Sequence, residues 1–175
     1  MREKKFRYTF KHIATGNIER KIYTLSQLET RNVSELSPCF NSEFGYELIG
    51  RDEFTGLKDK LGNDIYEEDL IERNDGQIRR VYWHDKFADW VATDFGDSLY
   101  LFADESEVVG TTRGTMKIAY IINEDGTSNE NFIVELKDYK KGVILENYGE
   151  KFEVVSDNTS TVSILRISEE NKLFI

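Results

Sequence analysis

From Lys5 to Ile13 apolar and polar side chains alternate, with Phe6, Tyr8 and Phe10 set against Arg7, Thr9 and Lys11. A period of two places each set on its own face, so the segment predicts a β-strand with one buried face. Thr15-Gly16-Asn17 is turn chemistry, because Gly16 and Asn17 both accept positive φ, and a second strand is predicted from Ile18 to Leu25. Ser26-Gln27-Leu28-Glu29 has the spacing of a capping box and predicts a short helix, with Leu25 and Leu28 facing the sheet. Residues 34–38 read as a loop ending at Pro38, which has no N–H to donate in a central strand. Residues 44–55 carry Phe44, Tyr46, Leu48 and Phe54 around Gly45 and Gly50, the pattern of a strand with a bulge or turn. Residues 55–64 are polar and punctuated by Gly56 and Gly62. Residues 65–72 read either as one helical turn or as an extended stretch.

Asp75-Gly76 is a strong hairpin signal, and strands are predicted at 77–84, 88–95, 98–103 and 106–111, with a turn at Gly96-Asp97. Short strands with a turn about every 8–12 residues make a small antiparallel barrel or sandwich. Thr111 to Thr115 is small and polar, a linker by composition. Beyond it the syntax repeats: a strand from Met116 to Ile122, a turn at 123–127, a strand from Asn131 to Leu136, and further strands at 142–146, 151–156, 161–167 and 172–175. The expected architecture is mainly β: an N-terminal hairpin plus a small antiparallel β-barrel over residues 1–112, with a C-terminal β extension over 113–175.

At 175 residues the length is that of one domain, or of one with an appendage. Charge changes the picture more. The chain has 23 Lys+Arg and 33 Asp+Glu, a net −10. Residues 1–31 hold eight basic side chains (Arg2, Lys4, Lys5, Arg7, Lys11, Arg20, Lys21, Arg31) and three acidic ones (Glu3, Glu19, Glu29), a local +5 that leaves −15 on the rest. An acidic body disfavours nucleic acid, whose phosphates need cationic contacts. The asymmetry fits head-to-tail association of copies, a basic edge meeting an acidic face. No apolar run is long enough to span a bilayer and no secretory leader is read, so a cytoplasmic location is expected. A single Cys39 excludes an internal disulfide and any multi-cysteine metal site.

Chemistry is sparse. Asp59, Asp64, Glu67, Glu68 and Asp69 put five carboxylates in eleven residues, but not at EF-hand spacing; they read as a solvated acidic loop closing a hairpin. Residues 82–102 hold seven aromatics (Tyr82, Trp83, Phe87, Trp90, Phe95, Tyr100, Phe102), read mainly as core with some interface. Arg79-Arg80 beside Tyr82-Trp83 could receive a carboxylate or phosphate. His12 and His84 stand without a catalytic neighbourhood, and there is no phosphate loop, zinc spacing or nucleophile elbow.

Thr55-Gly56-Leu57-Lys58-Asp59, then Gly62 and Ile65-Tyr66-Glu67-Glu68-Asp69-Leu70-Ile71, resembles the signature of the YopX family of phage and prophage proteins. The opening Met1-Arg2-Glu3-Lys4-Lys5-Phe6-Arg7 and Glu107-Val108-Val109-Gly110 are similar to that family too. The resemblance covers about residues 1–112. It departs where Glu68 stands in place of the family's usual glycine, and in the 60-residue extension. It implies a mostly β phage protein that forms rings or other oligomers in the cytoplasm of a bacterial host, and it brings no catalytic residues with it.

The expected function is therefore a non-enzymatic prophage accessory protein, homo-oligomeric, without cofactor or metal, binding a host or phage protein. The contact residues expected are Arg7, Lys11, Arg20 and Lys21 on the hairpin, Lys58, Asp59 and Lys60 on the loop, and Arg79, Arg80 and Trp83. One alternative is an acidic DNA mimic that blocks a host nuclease or defence protein, drawn from the −15 body. Another is a metal-dependent hydrolase using Asp59, Asp64 and Glu67.

Overall fold

The computed structural model describes residues 3–92, 96–114, 116–123, 125–128, 130–135, 139–158 and 161–167. Strands dominate and helices are short, as the alternating pattern predicts, and one sheet curls into a half-barrel. The chain divides into two compact units: Met1–Arg73 with Arg79–Gly114, and Asn74–Ile78 with Thr115–Ile175. Predicted strands at 172–175 and the ring of Phe95 lie outside the described residues.

In the first unit, β1 (Lys5–His12) and β2 (Ile18–Thr24) form the predicted hairpin. The helix α1 (Leu25–Thr30) begins two residues earlier than expected. Thr24, not Ser26, is the N-cap: its side chain accepts from Gln27 N, while Gln27 Oε1 accepts from Thr24 N. Leu28 packs inward as predicted, whereas Leu25 stays 38% exposed. The predicted loop 34–38 contains α2 (Val33–Leu36), and Pro38 opens a 3₁₀ turn to Phe40, a place where its missing N–H is not needed.

A long β3 (Tyr46–Lys58) pairs with the other side of β1, and the predicted bulge is Ile49, which the register skips between Gly50 and Leu48. β1 is thus an interior strand of the sheet β2-β1-β3-β4, the last being β4 (Asp64–Tyr66). The expectation of one buried face is corrected, because Asp69, the Glu67 carbonyl and Thr111 lie against the face that carries Arg7. Tyr8 and Phe10 pack with Tyr23, Cys39 and Phe40, while Arg7 and Thr9 on the opposite face are buried too.

Residues 65–72 are extended, not helical: β4 reverses at Glu67-Glu68 into β5 (Asp69–Glu72). β5 lies between β6 (Ile78–Arg80), reached across the predicted Asp75-Gly76 turn, and β9 (Glu107–Thr111). The predicted strand 77–84 is broken at Val81, whose N–H donates to Asp69 O, and continues as β7 (Tyr82–His84), paired with β8 (Asp89–Val91). Residues 98–103 do not form a strand. They make 3₁₀ turns at Leu99–Leu101 and Ala103–Glu105 that bury Leu99 and Phe102 and expose Tyr100 and Leu101, a period of three rather than two. The core beneath is Ile65, Ile71, Val81, Ala92, Leu99 and Phe102. Nor is 111–115 a linker at its start: Thr111 closes β9, and both Thr111 and Thr112 are buried.

The second unit holds β10 (Met116–Ile121), β11 (Glu130–Glu135), β12 (Ile144–Asn147), β13 (Glu150–Asp157) and β14 (Thr161–Arg166) in the order β11-β10-β14-β13-β12. β10 and β14 run parallel and the other neighbours antiparallel. Its core is Ala119, Ile121, Phe152, Val154, Val162 and Ile164. Within it, Asn131 clamps the segment 74–78, accepting from Ile78 N and donating to Ile78 O at 2.8 Å each.

Candidate functional site

The reversal at 67–68 organises the first unit. Glu68 takes a left-handed φ of 65°, a conformation that a residue with a Cβ adopts at a cost. The turn is held from both sides. Glu68 N donates to Val81 O, and the Glu68 carbonyl accepts from Thr112 N at 3.0 Å and from Thr111 Oγ1 at 2.9 Å. Asp69 Oδ2 accepts from Tyr66 N at 2.8 Å, closing the turn from inside.

Arg7 reaches into this turn from β1. Its Nη1 donates to Asp69 Oδ1 at 2.6 Å and its Nη2 to Asp52 Oδ2 at 3.1 Å, and Nη2 also donates to the Glu67 carbonyl at 3.1 Å. The guanidinium lies 4.8 Å from the Tyr66 ring centroid. Asp52 is fully buried and is shared with Arg113, whose Nε donates to Oδ1 at 2.9 Å. Gly50 leaves the path for Arg113 open, since a Cβ there would lie 2.6 Å from Arg113 Cδ. The Glu68 carboxylate accepts from Thr112 Oγ1 and from Arg80 Nη1 at 3.5 Å. Burial pushes the Asp69 carboxyl up to about 6 against the pull of Arg7 and of the Tyr66 amide.

With Asp69 and Glu68 turned inward, Glu67 faces a cleft of about 520 Å³ lined also by Lys4, Glu53, Trp83 and Trp90. The cleft is built by strand register: Trp83 and Trp90 are directly opposed on β7 and β8, with rings edge to face and centroids 5.2 Å apart. Trp90 packs on the core, while Trp83 is 43% exposed. These are the chain's two tryptophans. Lys4 pairs with Glu53 at 3.0 Å. No side chain among the described residues donates a hydrogen bond to the Glu67 carboxylate, which takes one from the Glu53 backbone. Burial, with Asp52 and Glu68 nearby, raises its pKa, and Arg113 opposes the shift.

Other predicted contact residues fall elsewhere or inside. Arg7 is buried, which removes it from any contact surface. Asp59 is buried as well: it accepts from Leu61 N, Asn63 N, Asn63 Nδ2 and Val108 N at 2.8–3.1 Å, so it fastens the 59–63 turn. Lys58 is exposed but bonded to Gly62 O and Asp64, and Lys60 pairs with Glu107. Lys11 and Arg20 are exposed, Lys21 pairs with Glu19, and Arg79 and Arg80 are half-buried. Of all these, Trp83 alone lines the cleft. The acidic run is not a solvated loop either: Asp64 bonds Lys5 and Lys58, and Asp59, Glu68 and Asp69 are tied as described. Among the described residues no three His, Cys, Asp or Glu side chains gather as a metal site. Sequence reading missed Glu67 and Trp90 as partners of Trp83. For Trp90 the signal was present, since a turn at residues 85–88 places Trp83 opposite Trp90.

The sequence profile of the YopX protein family matches residues 4–114. The chain belongs to the YopX family. The match takes in the Arg7 network and every residue lining the cleft, so both are features of the YopX region. No curated protein matches the chain. Among the described residues no helix is long and apolar enough to cross a membrane.

Proposed function

We propose that this chain is a phage-associated accessory protein without catalytic activity, that its YopX region binds a protein partner through the Trp83–Trp90 cleft, and that copies of it associate. Membership of the YopX family supports the phage association. The cleft carries the binding reading. The exposed Trp83 indole, seated edge to face on a Trp90 that packs on the core, is the kind of anchor that dominates protein interfaces, because it buries a large area at little entropic cost. The carboxylates of the signature region and the neighbouring Asp52 support a structural rather than a catalytic use, as each of Asp52, Asp59, Asp64 and Asp69 is already held by internal donors. The same pairing gives no support to rows of free carboxylates imitating DNA, or to a cation held by Asp59, Asp64 and Glu67. Association of copies rests on the exposed Lys11 and Arg20 against the acidic remainder, and it weakens with salt.

The test compares wild type with Trp83→Ala as bait in lysates of host cells carrying the phage. A protein retained by the wild type, lost by the folded variant, and bound again when both purified proteins are mixed fits the reading. Equal retention by the two baits overturns it.

A further inference from the structure

Resting on the reading of the cleft as a protein-binding site, we infer that it takes the guanidinium of an arginine presented by the partner, stacked on Trp83 and donating to the Glu67 carboxylate. Charge decides the sign of the guest. Among the described residues the cleft is lined by two carboxylates and one ammonium, and Lys4 already pairs with Glu53. The Glu67 carboxylate takes a hydrogen bond from the Glu53 backbone but from no side chain among the described residues, which leaves acceptor capacity facing the cleft, and the residue is held in place by its own backbone: its N–H donates to Glu53 O at 2.9 Å and its carbonyl accepts from Arg7. An anionic guest would be repelled. An apolar guest would cover that carboxylate without pairing it, which is costly.

Shape decides the kind of cation. A half-exposed indole and a carboxylate line the same cleft, so one guest there can meet an aromatic ring and an anionic acceptor together. A planar guanidinium satisfies both, stacking through its face and donating through its edge, whereas an ammonium is a compact, strongly hydrated charge with no planar face to stack. The volume, about 520 Å³, lies in the range of sites that enclose a side chain with its neighbouring backbone.

Because both tryptophans of the chain line the cleft, intrinsic fluorescence of the unmodified protein reports its occupancy. The probes are four capped tripeptides, Gly-X-Gly, in which X is arginine, lysine, citrulline or norleucine, titrated to about 10 mM to reach the weak affinities of single contacts. The arginine peptide is expected to give a saturable change, about fivefold weaker with lysine and at least about tenfold weaker with citrulline, which keeps the shape but not the charge. In Glu67→Gln, with its fold checked by circular dichroism, the arginine peptide binds at least about tenfold more weakly.

Citrulline matching arginine on the wild-type protein overturns the inference, and needs no variant. So does a response to norleucine with none to arginine, or silence from all four peptides. In those cases a partner captured in a Trp83-dependent way still supports the cleft as a protein site, so the two ideas fail separately.

Discussion

The two units bury the faces of short strands with different chemistry. On β1 and β3 the buried positions include Arg7, Thr9 and Asp52, joined by Asp69 from β5. On β10, β13 and β14 the buried positions are Ile118, Ala119, Ile121, Phe152, Val154, Val162 and Ile164, with a buried Lys117 that pairs with the half-buried Asp157 at 2.7 Å. An apolar core accepts any side chains of suitable shape and volume, so it stabilises without specifying much. A charged core is satisfied only when each group finds its one partner, because desolvation is repaid only by close pairing. In the first unit those partners come from β1, β3, the 67–69 reversal and the start of 111–113, so the network fixes the register of four segments at once. The consequence reaches the cleft: the geometry that hides Asp69 and Glu68 is the geometry that turns Glu67 outward.

The largest expected effect breaks this contrast directly. Arg7→Met removes the cation between Asp52, fully buried, and Asp69, 1% exposed. Asp52 keeps Arg113, but Asp69 keeps only the Tyr66 amide. Leaving a buried charge uncompensated costs about 3–5 kcal/mol. The matched change in the second unit, Phe152→Leu, keeps most of its apolar volume and is expected to cost less than about 1.5 kcal/mol. Hydrogen exchange read separately for the two units measures both. Similar losses from the two substitutions would show that the charged network is no more demanding than an ordinary core.

A smaller effect comes from Asp59, which separates a charge held by amides from one held by arginine. Burial works to raise this carboxyl, but donors from the Asn63 side chain and from the Val108, Asn63 and Leu61 backbone outweigh it and leave it below its ordinary 3.8. A depressed folded-state pKa contributes stability that is present above the unfolded value and lost as pH falls through the folded one. Asp59→Ala is expected to cost about 2 kcal/mol at pH 7, since it strands donors inside the 59–63 turn. In urea titrations the gap between wild type and variant should narrow as pH falls below about 4. A gap unchanged between neutral and acid pH would show that the carboxylate's charge plays no part in holding the turn.

How much of this could be read from the sequence follows from the range of each interaction. The hairpin at Gly16, the turn at Gly76 and the bulge near Gly50 were legible because alternation and turn chemistry act over a few neighbours. The 3₁₀ turns at 99–105 were not, because Leu99-Tyr100-Leu101-Phe102 is a continuous apolar run with no period of its own to read. The Arg7 network was invisible for a different reason. Its pairs are 45 and 62 residues apart, and an ion pair at that separation leaves no local pattern. The +5 of residues 1–31 therefore pointed outward to a partner, whereas Lys4, Lys5 and Arg7 pair inward with Glu53, Asp64, Asp52 and Asp69. Trp83 was singled out by its type and lines the cleft, but Glu67 was not, because nothing in the run Glu67-Glu68-Asp69 tells which carboxylate points out.

Glu68 gives the smallest and sharpest test of that division. Its left-handed φ disfavours a side chain by about 1 kcal/mol, and glycine would remove that strain. The carboxylate works in the other direction, accepting from Thr112 and Arg80 and lying 3.9 Å from Arg113. A net hydrogen bond of this kind contributes about 1 kcal/mol, and the Arg80 pair, partly exposed, adds little. Glu68→Gly is therefore expected to leave stability within about 1 kcal/mol of wild type, the two effects cancelling. A loss above about 2 kcal/mol would place Glu68 inside the indispensable network with Arg7. A gain of more than about 1 kcal/mol would mean that its carboxylate offsets none of the strain, and that the network ends at Asp52, Asp69 and Arg113.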